Sequence, residues 1–164
     1  MSLTNKPQTI HDLKNSESRV LTVKEEVRSN LIKRMQAGDN TFEGIVGYRD
    51  SVIPQIENAI ISGQDVIFLG ERGQGKSRLI RGLIDLLDEE IPSISGCEIN
   101  DNPYDPVCSP CREKLGTLGD KTEITWLPKS QRYSEKLATP DISMADLIGD
   151  IDPIKVSVLK PFDL

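Results

Sequence analysis

The sequence predicts an α/β fold, with helices layered on a parallel sheet, and three observations predict it. A short apolar, β-branched run, Asp65-Val66-Ile67-Phe68-Leu69, reads as a buried strand. The glycine-rich octet Gly70-Glu71-Arg72-Gly73-Gln74-Gly75-Lys76-Ser77 follows at once. Residues 76–87 then carry Leu79, Ile80, Leu83, Leu86 and Leu87 at the spacing of one helix face. Strand, glycine loop and helix in that order make a phosphate site.

In chain order, residues 1–18 are polar and expected to be flexible. Residues 22–37 read as a helix, apolar at Val23, Val27, Leu31, Ile32 and Met35, with Thr22 and Glu25 as a capping box and Gly38 as its stop. Residues 1–40 thus form a polar tail and N-terminal helix ahead of an α/β domain over residues 41–164. Residues 51–61 read as a helix with Pro54 in its first turn and Gly63 at its end. Residues 91–120 hold four prolines and many turn formers, so they read mostly as loop, with a short strand near 95–99. Glu123-Ile124-Thr125-Trp126-Leu127 alternates and is β-prone. Residues 141–147 begin a short helical stretch that Gly149 and Asp152-Pro153 break. There is no internal repeat and no low-complexity segment.

Each residue of the octet has a chemical reason. Gly70, Gly73 and Gly75 lack a Cβ, so the loop turns tightly and points successive N–H groups inward. Those groups and the positive end of the following helix suit phosphate oxygens. Lys76 reaches the β- and γ-phosphates as a point charge. Ser77 offers a hydroxyl to Mg²⁺, a hard cation that takes oxygen ligands. Arg72, Arg78 and Arg81 lie in or just after the loop, where phosphate contact competes with a merely solvated surface. Trp126, the one tryptophan, is expected to pack on the sheet rather than stack on a nucleotide base.

Composition narrows the class. A formal net charge of −6 over 164 residues argues against a broad basic surface for nucleic acid or anionic membrane. No apolar run approaches the roughly 20 residues that span a bilayer, and residues 1–15 lack the apolar centre of a signal peptide. A cytoplasmic chain with reduced thiols is the expectation. Its three cysteines, Cys97, Cys108 and Cys111, fall in the loop-rich stretch, and C-x-x-C spacing suits a tetrahedral metal site or a redox pair. A fourth ligand is not obvious. His11 stands far away in the tail, leaving Asp101, Asp105 or Glu113 as possible oxygen donors. Structural zinc usually has four protein ligands, so these cysteines are not expected to hold stoichiometric zinc.

The order of motifs resembles the start of an AAA+ ATPase module. Phe42-Glu43-Gly44-Ile45-Val46-Gly47-Tyr48, a helix, and then Val66 through Arg78 carry that likeness. Within the superfamily the chain most resembles the ATPase subunit of magnesium chelatase. The marks are Gly70-Glu71-Arg72-Gly73 with Gly75-Lys76-Ser77 and Arg81, then Lys136-Leu137-Ala138-Thr139-Pro140-Asp141 and Leu147-Ile148-Gly149-Asp150-Ile151-Asp152. The likeness covers about residues 42–155. It implies a three-layer P-loop sandwich, ATP and Mg²⁺ as ligands, and Val46 and Gly47 beside the adenine. It also implies a homo-oligomeric ring with ATP between neighbours, and remodelling of a partner driven by hydrolysis.

Hydrolysis needs an acidic group to hold Mg²⁺ and orient water, and an arginine to stabilise developing charge. In the family these come from a Walker B strand and a neighbouring subunit's arginine finger. Leu147 to Asp152 looks superficially like that strand, but Gly149 interrupts it and Pro153 follows, unlike a continuous apolar central strand. The run belongs by resemblance to a loop ahead of Walker B, and residues 157–164 no longer follow the family. The expectation is therefore an N-terminal portion of the module with an incomplete sheet, no catalytic residues of its own and an exposed edge. One functional reading is an ATP-driven motor. Another is a non-catalytic nucleotide-binding or interaction fragment that docks to a full-length AAA+ relative. A small-molecule P-loop kinase is a third, without a visible acceptor site.

Overall fold

The computed structural model describes residues 6–16, 19–137 and 139–150. It divides into two compact units, residues 1–133 and 134–164. In the first unit, helix α1 (Ile10–Asn15) is followed by α2 (Val23–Ala37), α3 (Val52–Ile61) and α4 (Lys76–Gly82). Strand β1 (Glu90–Ile94), helix α5 (Ser109–Leu118) and strand β2 (Ile124–Pro128) complete it. The second unit contains α6 (Met144–Ile148), capped by Ser143, with an exposed Lys136–Asp146 ion pair at 3.3 Å. No helix among the described residues is long and apolar enough to cross a membrane.

Local signals set most helices. Thr22 caps α2 through a reciprocal box with Glu25, and Gly38, at φ 75°, takes the left-handed turn that ends it. Ile53 and Ile56 of α3 bury on one face. The helix over 76–87 is shorter than its apolar pattern suggests. It is α-helical to Gly82 and then tightens into a 3-10 turn over Leu83–Leu86.

The described residues are compatible with an α/β fold but contain no parallel strand pair. The only ladder among the described residues joins β1 and β2 antiparallel, from Glu90 opposite Pro128 to Ile94 opposite Ile124. Residues 65–69 form no strand. Ile67 is 83% and Leu69 90% exposed. A parallel strand exists only through hydrogen-bonded neighbours, and this apolar run has none among the described residues. The strand expected near 95–99 lies earlier, at Glu90–Ile94, where Pro92 is tolerated because both strands of a two-stranded ladder are edges. Helix α5 replaces part of the expected loop. Its proline, Pro110, sits in the first turn, where no N–H is missed. The Walker B look-alike is not a strand where it is described, since α6 runs to Ile148 and Gly149 ends it at φ 86°. Residues 151–164 lie outside the described chain.

The tail expectation is corrected too. Residues 6–16 are packed. Ile10 and Leu13 bury with Ile124, and Leu115 and Trp126 lean on them. Ile10 N–H donates to Thr122 C=O at 3.0 Å, Ile124 N–H to Gln8 C=O at 2.9 Å, and Trp126 Nε1–H to Pro7 C=O at 2.9 Å. Trp126 thus packs by the sheet, as expected. A second cluster of Phe42, Ile53, Ile56 and Leu79, flanked by Ile45, Tyr48 and Phe68, joins α3 to α4.

One buried ion pair bolts α2 to the segment after β2. The Arg132 guanidinium grips both Glu26 carboxylate oxygens, one of them at 2.8 Å, and Asp88 N–H donates to Glu26 at 2.6 Å. The two side chains are 6% and 2% exposed. Burial pushes the Glu26 carboxyl up, but the Arg132 hydrogen bonds, the Asp88 amide and the Arg132 charge outweigh it. The net effect is a carboxyl below its ordinary value of 4.5. A carboxylate depressed by folding stabilises above its unfolded pKa, and that contribution is lost as pH falls through the folded pKa. Glu26→Gln leaves Arg132 buried and unpaired, and should cost about 3–5 kcal/mol near neutrality. Urea titration checks this. The deficit should shrink as pH drops below 4.5, and a deficit independent of pH would contradict the pairing.

Gly82 gives a second test. A Cβ there would lie 2.8 Å from Phe42 Cδ1. Overpacking costs about 1–3 kcal/mol, against at most about 1 kcal/mol gained by removing a helical glycine. Gly82→Ala should therefore lower the Tm by a few degrees, and a rise would mean that Phe42 swings aside freely.

Candidate functional site

The glycine loop leaves residue 69 and turns through Gly73 and Gly75 at φ 84° and 70°. These are left-handed conformations that side-chain-bearing residues avoid. Gly75 is the N-cap of α4 and fixes where the helix begins. Leu79, one turn on and 2% exposed, anchors that helix in the Phe42 cluster. The Lys76 ammonium donates to the carbonyls of Gly70, at 2.8 Å, and Glu71, at 2.5 Å, and so bridges the start of the loop to its end.

The segment expected beside the base does meet the loop. Tyr48 O–H donates to Gln74 C=O at 3.0 Å. Gly44, at φ 70°, has no Cβ where one would lie 2.7 Å from an Arg78 guanidinium nitrogen, so Arg78 can lie against it. A cavity of about 440 Å³ opens between the two segments, with Val46, Gly47, Tyr48, Gly73, Gly75 and Arg78 on its walls. A second, of about 550 Å³, is lined by residues 72–78 and Arg81 and includes Ser77. Of the candidate residues, Arg72, Gly73, Gln74, Gly75, Lys76, Ser77, Arg78, Val46 and Gly47 therefore line adjoining cavities. Gly70 and Glu71 contribute carbonyls to Lys76 instead. Neither cavity has a carboxylate on its described walls. The second carries the cations Arg72, Lys76, Arg78 and Arg81 and the first carries Arg78, beside the glycine-loop backbone, a setting suited to an anion.

A further cavity, of about 730 Å³, is mostly apolar. Val27, Ile60, Val66, Phe68, Ile80 and Leu83 line it together with Lys24, Asp65, Lys76 and Ser77. Its mainly apolar walls suit apolar packing better than phosphate.

The cysteines form a separate cluster. Sequence spacing left the fourth ligand open among Asp101, Asp105 and Glu113. The structure brings only Asp101 of these to Cys97, Cys108 and Cys111. Burial raises the Cys97 thiol, but N–H donors from Asp101 and Ile99 outweigh it and lower its pKa. The Asp101 carboxylate raises that of Cys108. Burial, then the neighbouring thiols, push Cys111 up to about 12.

The sequence is similar to named proteins over most of its length. It is 34% identical over 127 residues to the magnesium-chelatase subunit ChlI of Mesostigma viride, covering 71% of this chain and 34% of that protein. It is 36% identical over 112 residues to a magnesium-chelatase subunit ChlI homolog of Methanocaldococcus jannaschii, covering 63% of this chain and 30% of the other. A chloroplastic ChlI-2 of Arabidopsis thaliana is 35% identical over 115 residues, 63% of this chain and 27% of its own. No family model matches the chain, and no solved structure gives a significant match. The chain spans roughly a third of the length of these curated relatives. Octet, preceding segment and similarity agree: over that matched stretch the chain resembles the ChlI subunits of magnesium chelatase and is consistent with a portion of a ChlI-like AAA+ ATPase.

Proposed function

We propose that this chain binds ATP with Mg²⁺ through residues 70–78, with Val46 and Gly47 against the base. The single observation that carries this reading is the meeting of segment 44–48 with the glycine loop, through the Tyr48–Gln74 bond and the Arg78–Gly44 contact. The loop amides would take the phosphate oxygens, Lys76 the β- and γ-phosphates, and Ser77 the metal. ATP and Mg²⁺ supply the phosphoryl chemistry. The chain's own residues bind and orient the nucleotide. By similarity to ChlI, the wider role is an AAA+ nucleotide-driven module that assembles into rings and remodels a partner.

A second reading has its own support. The exposed apolar run containing Ile67 and Leu69 has the composition of a strand without its neighbours. That favours a nucleotide-binding piece that docks to a full-length relative over one that turns ATP over by itself.

Isothermal titration of the 164-residue chain with Mg·ATP tests the site. Lys76→Ala should weaken binding at least tenfold, about 1.4 kcal/mol, and equal affinity would remove Lys76 from the phosphates. Turnover is a separate readout. Without a carboxylate at the loop cavities to orient water, phosphate release from the chain alone should stay near background while binding persists. An arginine finger by itself can be worth about 10³–10⁵ in rate. Turnover near one per second, abolished by Lys76→Ala, would show that the chain holds a working acidic group.

A further inference from the structure

We propose that Cys97, Cys108, Cys111 and Asp101 form a structural zinc site that staples the proline-rich loop to β1 and α5, contrary to the expectation from spacing alone. The donor atoms of these four residues all lie within 4.8 Å of one another. The sequence separates the first cysteine from the last pair by a long irregular stretch, and only the fold closes that distance.

The distances fit a tetrahedral ion. A Zn–S bond of about 2.3 Å sets a sulfur–sulfur edge of about 3.8 Å in a tetrahedron. Cys97 Sγ and Cys108 Sγ are 3.9 Å apart. A disulfide needs about 2.05 Å, so this pair is spaced as co-ligands rather than as a bond.

Backbone amides around the cluster donate to its sulfur and oxygen atoms. Cys97 Sγ accepts Asp101 N–H at 3.3 Å, an interaction that supports a thiolate. Asn100, at φ 55°, is the only described non-glycine residue with positive φ, and it makes the tight turn that returns the chain to Cys97. Cys108 is the N-cap of α5 and Cys111 lies in that helix's first turn, so both face the cluster from one rigid element. Asp101, 3% exposed, uses Oδ2 to accept Val107 N–H at 3.1 Å and Cys108 N–H at 3.0 Å. That ties the oxygen donor to the second cysteine segment.

The loop has polar ties, Lys114 to the Ser95 carbonyl and Arg112 to the Pro106 carbonyl, but little apolar support. Between Ser95 and Cys108 its larger apolar side chains, Ile99 and Val107, are 60% and 63% exposed. What is buried there is Asp101, Pro103 and Pro106. An aspartate and two prolines do not make a hydrophobic core, whereas a metal with three thiolates does its work with few residues. Thiolate donors select zinc over magnesium or calcium.

The test uses the intact 164-residue chain, purified in reductant without chelator. Elemental analysis should find about one zinc per chain. Cys97→Ser, Cys108→Ser and Cys111→Ser should each reduce it to background, and Asp101→Asn should weaken zinc retention against a competing chelator about tenfold or more. Lys76→Ala should leave the zinc in place. Because a cysteine variant can fail to fold, the parent chain is also stripped, reduced and titrated with Co²⁺, which should give the intense visible bands of tetrahedral cobalt–thiolate. Zinc near background together with a featureless cobalt titration would overturn the proposal. So would a Cys97–Cys108 disulfide in the folded, purified chain.

Discussion

The site depends on one piece of packing. Leu79 is the residue of α4 that buries, and it does so against Phe42, Ile53 and Ile56. Ile45 and Tyr48 pack on the same cluster. The helix that starts at the glycine loop and the segment opposite it are therefore fixed to one core, and the cavity between them inherits its shape from that core. Gly82 lets the Phe42 ring approach the helix closely enough for this. The loop itself contributes turn chemistry, not stability. Its glycines permit the path, and the apolar cluster decides where the path leads.

The rest of the first unit adds polar anchors to its apolar packing. Around β1 and β2 a second apolar cluster joins Ile10 and Leu13 to Ile124. The Glu26–Arg132 pair links α2 to the segment after β2 through two nearly unexposed side chains. The cysteine cluster gathers the loop between β1 and α5. Each is conditional in a way that packing is not. The ion pair requires an ionised carboxylate, and the cluster requires reduced thiols. The first unit thus combines apolar clusters with chemically conditional ties.

Much of the site was legible in the sequence because its signals are local. The octet, the Thr22 and Glu25 box around α2 and the stop at Gly38 are short patterns whose physics is complete within a few residues. What the sequence hid is non-local. The apolar run at 65–69 looks like a strand, yet strandness is a property of neighbours, and the structure pairs other residues. Helix α5 was disguised by Pro110, a breaker in the middle of a helix and an ordinary residue in its first turn. The order of residues 6–16 came from Ile10 and Leu13, two apolar residues in a polar context that only the fold could give a partner, Ile124. Asp101 was one of three possible donors by spacing. Only the turn at Asn100 singled it out.

Segment 44–48 and the glycine loop are proposed to form one nucleotide pocket. Amide hydrogen exchange of the chain, with and without saturating Mg·ATP, tests this. Slowed exchange is expected at residues 70–78 and, with the same concentration dependence, at residues 44–48. The Cys97–Cys111 region should stay unchanged. Protection of the glycine loop with none at 44–48, or no nucleotide-dependent protection at either segment, would contradict it.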